Sequence, residues 1–299
     1  MTEFLQQLLN GISLGAILAL IALGYTMVYG VLRFINFAHC DIFMVGAYVG
    51  YFVGRHVPEH TWWGGLIALV AAMLVCAALG VVIERLAYRP LRSAPTLNVL
   101  IAAIGVSLLL ENLGQHFFGA TPRAFPELFP VYTFQFGGNS GVVLYSNQLI
   151  VIALTLVLLF ALRFVVLRTK IGTAMRALSL NRQAAALVGI NNDLVIAATF
   201  ALGSALAGAA GVLYALNYPS IDPLMGVLPG LKAFVAAVVG GIGSIPGAAL
   251  GGLLLGTVET FVNGSEWSTY KDAIAFGLLI LILIFRPAGL LGRNIREKV

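Results

Sequence analysis

The side chains able to do chemistry in this sequence are few, and most of them sit inside or at the edges of apolar runs. Lys232 and Glu259 stand near the two ends of a Gly-rich apolar stretch, Leu231 to Val262. Glu111 lies within LLLENLGQHF, and Asn36, His39 and Asp41 form a compact polar group between the first two apolar runs. Ionisable groups in such places are costly and so are functional candidates, although Glu111, near the external end of its run, also fits a plain interface marker and His39 a structural hydrogen-bonder. Lys232 and Glu259 could sense one another or a polar group of a substrate; both are also near enough to the segment ends to snorkel. His39 has neither an HExxH context nor a second histidine at ligand spacing, so no metal site is expected. No GxxxxGK[ST] phosphate loop and no GxSxG elbow occurs, and the acids do not pair as catalytic carboxylates. The run GGIGSIPG, Gly240 to Gly247, lacks the lysine and the preceding strand of a nucleotide cradle. These patterns predict no catalytic residue, no bound cofactor and no ATP hydrolysis by this chain itself.

The elements that must position these groups are dictated by composition. Of 299 residues, 60% are hydrophobic and only 10% charged, against about a quarter charged in soluble domains. This predicts an all-α, polytopic transmembrane bundle forming one domain over residues 1–299. The net charge of +5 comes from basic residues placed between apolar runs, which argues against nucleic acid. Two cysteines, Cys40 and Cys76, are too few for a disulfide framework. The start, MTEFLQQLLNG, has an acid and no basic residue before its apolar run, so that run reads as a retained span. With about 20 apolar residues needed per crossing, the expected spans are Phe4 to Leu32, Gly64 to Ile83, Leu97 to about Phe118, Gln148 to Leu167, Leu194 to Leu216 and about Ala273 to Phe285. Ile42 to Gly54 is a short span or a re-entrant segment. With Leu231 to Val262 the total is about eight, and no internal repeat is apparent.

Basic loops stay in the cytoplasm. Arg85, Arg89 and Arg92, the interval Arg163 to Arg182, and the tail Arg286 to Lys298 hold twelve of the seventeen basic residues and mark the inside. Gly119 to Asn147 and Asn217 to Pro229 belong outside, and the C-terminus inside. Leu231 to Val262 must then enter and return. Its 32 residues reach roughly 48 Å as helix, short of two crossings of ~30 Å. Two shortened helices meeting at Gly240 to Gly247 fit, because Pro246 lacks a backbone donor and the glycines permit unusual angles. Unpaired backbone at membrane depth is tolerated where it lines a watery cavity. Asn36, His39, Lys232, Gly240, Gly241, Gly243, Pro246, Gly247 and Glu259 are therefore the candidate wall of a translocation path. The four-residue spacing of Gly243, Gly247 and Gly251, of Gly252 and Gly256, and of Gly203, Ala207 and Gly211 also suits close helix packing in lipid.

The longest polar interval, residues 168–193, is RTKIGTAMRALSLNRQAAALVGINND. Within it Arg182 to Val188 can form a short helix capped by Asn181 and ended by a left-handed Gly189. Ala177, Leu180, Ala184 and Leu187 fall on one side, and Arg176, Ser179 and Arg182 on another. A half-apolar helix with basic flanks is suited to docking on a cytosolic partner; an ordinary basic loop that sets topology is the alternative.

Four stretches carry a resemblance. GYTMVYGVLRFINFAHCDIFMVGAY (Gly24 to Tyr48), ERLAYRPLR (Glu84 to Arg92), AALVGIN (Ala185 to Asn191) and KAFVAAVVGGIGSIPGAALGG (Lys232 to Gly252) together resemble the permease subunit of bacterial branched-chain amino acid ABC importers, along the whole chain. One departure is Cys40, where the family pattern NFAHG has glycine. The resemblance implies a permease of the bacterial inner membrane that works with a second homologous permease, two cytoplasmic ATPase subunits carrying ATP and Mg, and an external substrate-binding protein. It further implies a coupling helix that seats on an ATPase, with Arg176, Leu180, Asn181, Arg182, Ala184, Leu187, Gly189 and Asn191 in that element. Related permeases for urea and short amides share the pattern, so they stand as the alternative cargo class. An ion-driven secondary transporter is the remaining alternative.

Overall fold

A computed structural model describes residues 2–92, 94–136 and 141–292. Among these residues there are eleven α-helices: α1 (Thr2–Leu32), α2 (His39–Gly54), α3 (Trp62–Ile83), α4 (Thr96–Phe118), α5 (Ser146–Arg168), α6 (Lys170–Leu180), α7 (Arg182–Leu187), α8 (Asn192–Asn217), α9 (Val227–Gly240), α10 (Ile245–Asn263) and α11 (Lys271–Phe285). Four short strands, β1 (Arg123–Ala124), β2 (Thr133–Phe136), β3 (Val142–Tyr145) and β4 (Ser220–Ile221), pair as β1 with β4 and β2 with β3, both antiparallel. Seven helical segments among the described residues are long and apolar enough to cross a membrane, and α2 and α9 are shorter apolar helices between them.

The connections define two ends. At one, β1 lies against β4, so the 119–147 and 217–229 segments meet there as the charge pattern requires. Gln6, near the start of α1, accepts from the Val143 amide at this same end. At the other end gather Arg33, Arg89, Arg92 and the α6–α7 segment, where Arg182 donates to the Leu32 carbonyl. We call these the loop end and the basic end. Arg293, Arg296 and Lys298, which the charge argument places in a tail, lie outside the described residues.

Helix α1 is the axis of the bundle, buried from Ala16 through Val28. It packs most closely on α10, while α8 packs most closely on α3. Glycine permits both contacts. A Cβ at Gly252 would collide with the Ala19 amide nitrogen, and one at Gly208 would sit 2.8 Å from the Ala72 carbonyl. The α9–α10 pair sits on α1 as the α2–α3 pair sits on α8, and α1 and α8 run in opposite directions, α1 from the loop end to the basic end and α8 back again. The molecule thus has an inverted internal symmetry, α1–α2–α3 against α8–α9–α10, that sequence reading alone does not reveal. A faint trace exists: Gly30-Val31-Leu32 and Gly211-Val212-Leu213 are each followed four residues on by an asparagine, Asn36 and Asn217.

Helices α2 and α9 are the discontinuous members. The His39 ring contacts the Ile21 carbonyl and Gly24, which lie roughly 12–16 Å along α1 from its basic end. Asp41 is bonded to Ser107, the middle residue of α4. Helix α2 therefore begins half-way through the bundle and climbs to the loop end, reached by an irregular segment, 33–38, that re-enters from the basic end. Helix α9 begins beside it, with Gly226 and Gly230 against Cys40, and descends to the basic end. Ile42 to Gly54 is thus part of a half-span helix with a re-entrant approach.

Candidate functional site

Two regions bring the candidate residues together. The first is the basic end. The Thr169 hydroxyl caps α6, and the Asn181 side chain accepts from the Gln183 and Ala184 amides to start α7. Gly189 takes φ +84, and Asn191 accepts from the Leu194 amide to start α8. The three caps hold α6 and α7 as a rigid elbow. Its outer side is apolar: Leu180 is 83% exposed, Leu187 88% and Val188 76%. Ala184 and Arg176 are exposed beside them. Arg182 points the other way. It donates to the Leu32 carbonyl at 3.3 Å, and burial, with Arg92 and Arg33 nearby, pulls its guanidinium below the usual arginine range. It remains charged, and it fastens the elbow to the end of α1 instead of facing outward with Arg176.

A clamp that sequence reading missed completes this region. Asp193, the second residue of α8, is gripped by Arg89 and Arg92, and Arg92 also binds the buried Glu84. Glu84 opens a π-helical turn, Glu84–Tyr88, at the end of α3. Tyr88 from that turn donates to Asn36 Oδ1 at 2.5 Å. Asn36 is buried, and Asp193 at the start of α8 reaches it through Arg92, Glu84 and the π-helical turn that carries Tyr88. A cavity of about 160 Å³ opens here, lined by Arg33, Tyr88, Arg92, Thr96 and Arg182 among others. Asp193 lies 104 and 101 residues from Arg89 and Arg92, and only ERLAYRPLR, which holds Glu84 and both arginines, hinted at one half of the clamp.

The second region is the middle of the bundle, where the starts of α2 and α9 meet. His39 is buried, with Nε2 3.2 Å from the Ile21 carbonyl and its ring 4.7 Å from that of Tyr25. Tyr25 in turn contacts the Cys40 thiol at 2.8 Å. Cys40 leans on Gly230, so the thiol occupies room that a glycine at position 40 would leave open.

The α9–α10 pair differs from expectation in one respect. The two helices do meet in a tight turn, with Gly241 at φ +107 and Gly243 at φ +91. Yet the freed carbonyls are paired, since the Leu290 and Leu291 amides donate to Val239 and Gly240. Gly240 and Gly247 press on one another, leaving Gly243 and Pro246 exposed at the tip. The break lies at the basic end, sealed by the segment that follows α11. Lys232 and Glu259, nearer the loop end, form a buried ion pair at 2.5 Å that Asp272 joins at 2.7 Å. Among the described residues, no three His, Cys, Asp or Glu side chains gather as a metal site would require.

A helical bundle with seven membrane-length apolar segments among the described residues, two shorter helices meeting inside it and an exposed apolar elbow at its basic end is that of a multi-pass membrane protein. Residues 7–283 match the family described as branched-chain amino acid transport system / permease component, and the chain belongs to that family. It is 45% identical to the high-affinity branched-chain amino acid transport system permease protein BraD of Pseudomonas aeruginosa, over 99% of this chain and 98% of that protein. It is 42% identical to the corresponding protein LivH of Escherichia coli, with the same coverage. A shorter likeness, 32% identity over 42% of each chain, links it to the ribose import permease protein RbsC of Haemophilus influenzae.

Proposed function

We propose that this chain is the permease subunit of an ATP-driven importer that carries branched-chain amino acids across the bacterial inner membrane. The observation that carries the reading is the end-to-end similarity to permeases of that named cargo. The basic end faces the cytosol, by the positive-inside rule. There the elbow α6–α7 offers Leu180, Ala184, Leu187 and Val188 to an ATPase subunit, and Arg176 supplies a charge at its edge. Two such ATPases hold ATP and Mg, a second homologous permease completes the path, and a binding protein delivers cargo at the loop end. Closure of the ATPases pushes a rigid element, because the caps and Arg182 bind it to α1 and α8. The push reaches the interior through Asp193, Arg92, Glu84, the turn that carries Tyr88, and Asn36, shifting the half-span helix that Asn36 precedes.

The test is Leu187→Asp combined with Ala184→Asp in the co-expressed importer. Both positions are exposed, so the fold is retained. The expected outcome is loss of the ATPase subunits on purification and of leucine uptake. Retention of both refutes the docking role. Collapse of uptake by an uncoupler while ATP stays high would instead favour an ion-driven transporter.

A further inference from the structure

Half-way along α4, the groove between α4 and α9 deepens into a cavity of about 170 Å³ whose floor is the start of α2. Its wall is almost wholly apolar, from Phe37, Ile104, Leu108, Val227 and Leu231. Two polar side chains interrupt it. Ser107 donates to the Asp41 carboxylate behind the wall at 2.6 Å, and Glu111, one turn further along α4 and half-buried, lines the rim. Among the described residues, no lysine or arginine lines it.

Size and charge narrow the occupant. An apolar cavity of ~150 Å³ takes up benzene, so a branched aliphatic side chain fits this one. A carboxylate at the rim without a basic neighbour suits an ammonium group and repels an anion. A sugar would bring several hydroxyls to walls that offer them few partners. The position is also right for a solute in transit, since it lies where two half-span helices meet at mid-depth.

We propose that this cavity is a transient cargo subsite, in which the side chain of leucine, isoleucine or valine packs on Leu108, Val227 and Leu231 while Glu111 holds the ammonium. This rests on the importer reading and adds the residues that touch the cargo. Cys40 sets the depth of the floor, its thiol filling space against Gly230.

The test uses the complete importer in proteoliposomes, turning over ATP with its binding protein, and a diazirine analogue of leucine. Illumination followed by peptide mass spectrometry is expected to find adducts on Leu108, Val227 or Leu231 that excess leucine suppresses. Glu111→Gln lowers their yield about tenfold, the size of one charge-assisted hydrogen bond. Leu231→Trp fills the cavity and reduces leucine uptake more than valine uptake. Adducts confined to other residues, or adducts at these three that neither excess leucine nor Glu111→Gln reduces, overturn the proposal. So does labelling of the three by a diazirine-bearing phosphatidylcholine with none by the leucine analogue, which makes a lipid chain the occupant. Leucine uptake by the unaltered complex separates the two readings. If it is absent, the importer reading fails and takes the subsite with it; if it is present without adducts, only the subsite fails.

Discussion

Lys232 is held between Glu259 on α10 and Asp272 on α11, so one ammonium ties three helices together near the loop end. Both members of the inner pair are buried, and removing one leaves an uncompensated charge. Lys232→Met is therefore expected to cost about 3 kcal/mol, seen as a lowered melting temperature in nanodiscs. Lys232→Met with Glu259→Leu restores much of the loss, because no buried charge is stranded. A single variant as stable as the parent would show that Glu259 is solvated after all. Sequence reading identified Lys232 and Glu259 as one another's possible partner but not Asp272, which lies forty residues along and at the start of a different helix. Its charge gave no sign of which neighbour it would meet.

At the scale of elements, the local chemistry of the α6–α7–α8 run is self-contained. Asn181, Gly189 and Asn191 do in the structure what their types and spacing predict, because caps act within three residues of themselves. Asn181→Ala should weaken α7 by about 1 kcal/mol, so amide exchange at Gln183 and Ala184 should quicken about fivefold. Unchanged exchange would mean that the contacts of Ala185 with the bundle, not the cap, hold the helix. What spacing alone got wrong is Arg182. A helical wheel groups it with Arg176, yet a change of direction at Asn181 separates α6 from α7 and turns Arg182 inward to Leu32. The Gly-rich hairpin shows the same limit. Its turn was legible from Pro246 and the glycines, whereas its sealing by Leu290 and Leu291 depends on a segment about fifty residues away.

For the whole molecule, the two ends must lie on opposite sides of the membrane. A cysteine introduced at Leu187 is expected to react with an impermeant maleimide only in inside-out vesicles, and one at Glu127 only in intact spheroplasts, since both positions are exposed. Reaction of both from one side would remove the basis for cytosolic drive. The sequence by itself determined that this is a membrane-spanning helical protein, where most of its helices run, and that a short helix capped by Asn181 starts at Arg182, ending at Leu187, one residue sooner than the spacing suggested. Those are matters of hydrophobic length and of contacts within one turn, which neighbours in the chain decide. Only the tertiary structure decided that α2 and α9 start at mid-depth, that α1 and α8 organise two inverted units, and that Arg92, Glu84 and the turn carrying Tyr88 connect Asp193 to Asn36. These depend on which helix faces meet. In an almost uniformly apolar chain the hydrophobic pattern is nearly the same on every face, so the choice falls to close glycine contacts and a few buried polar bonds between residues far apart in sequence.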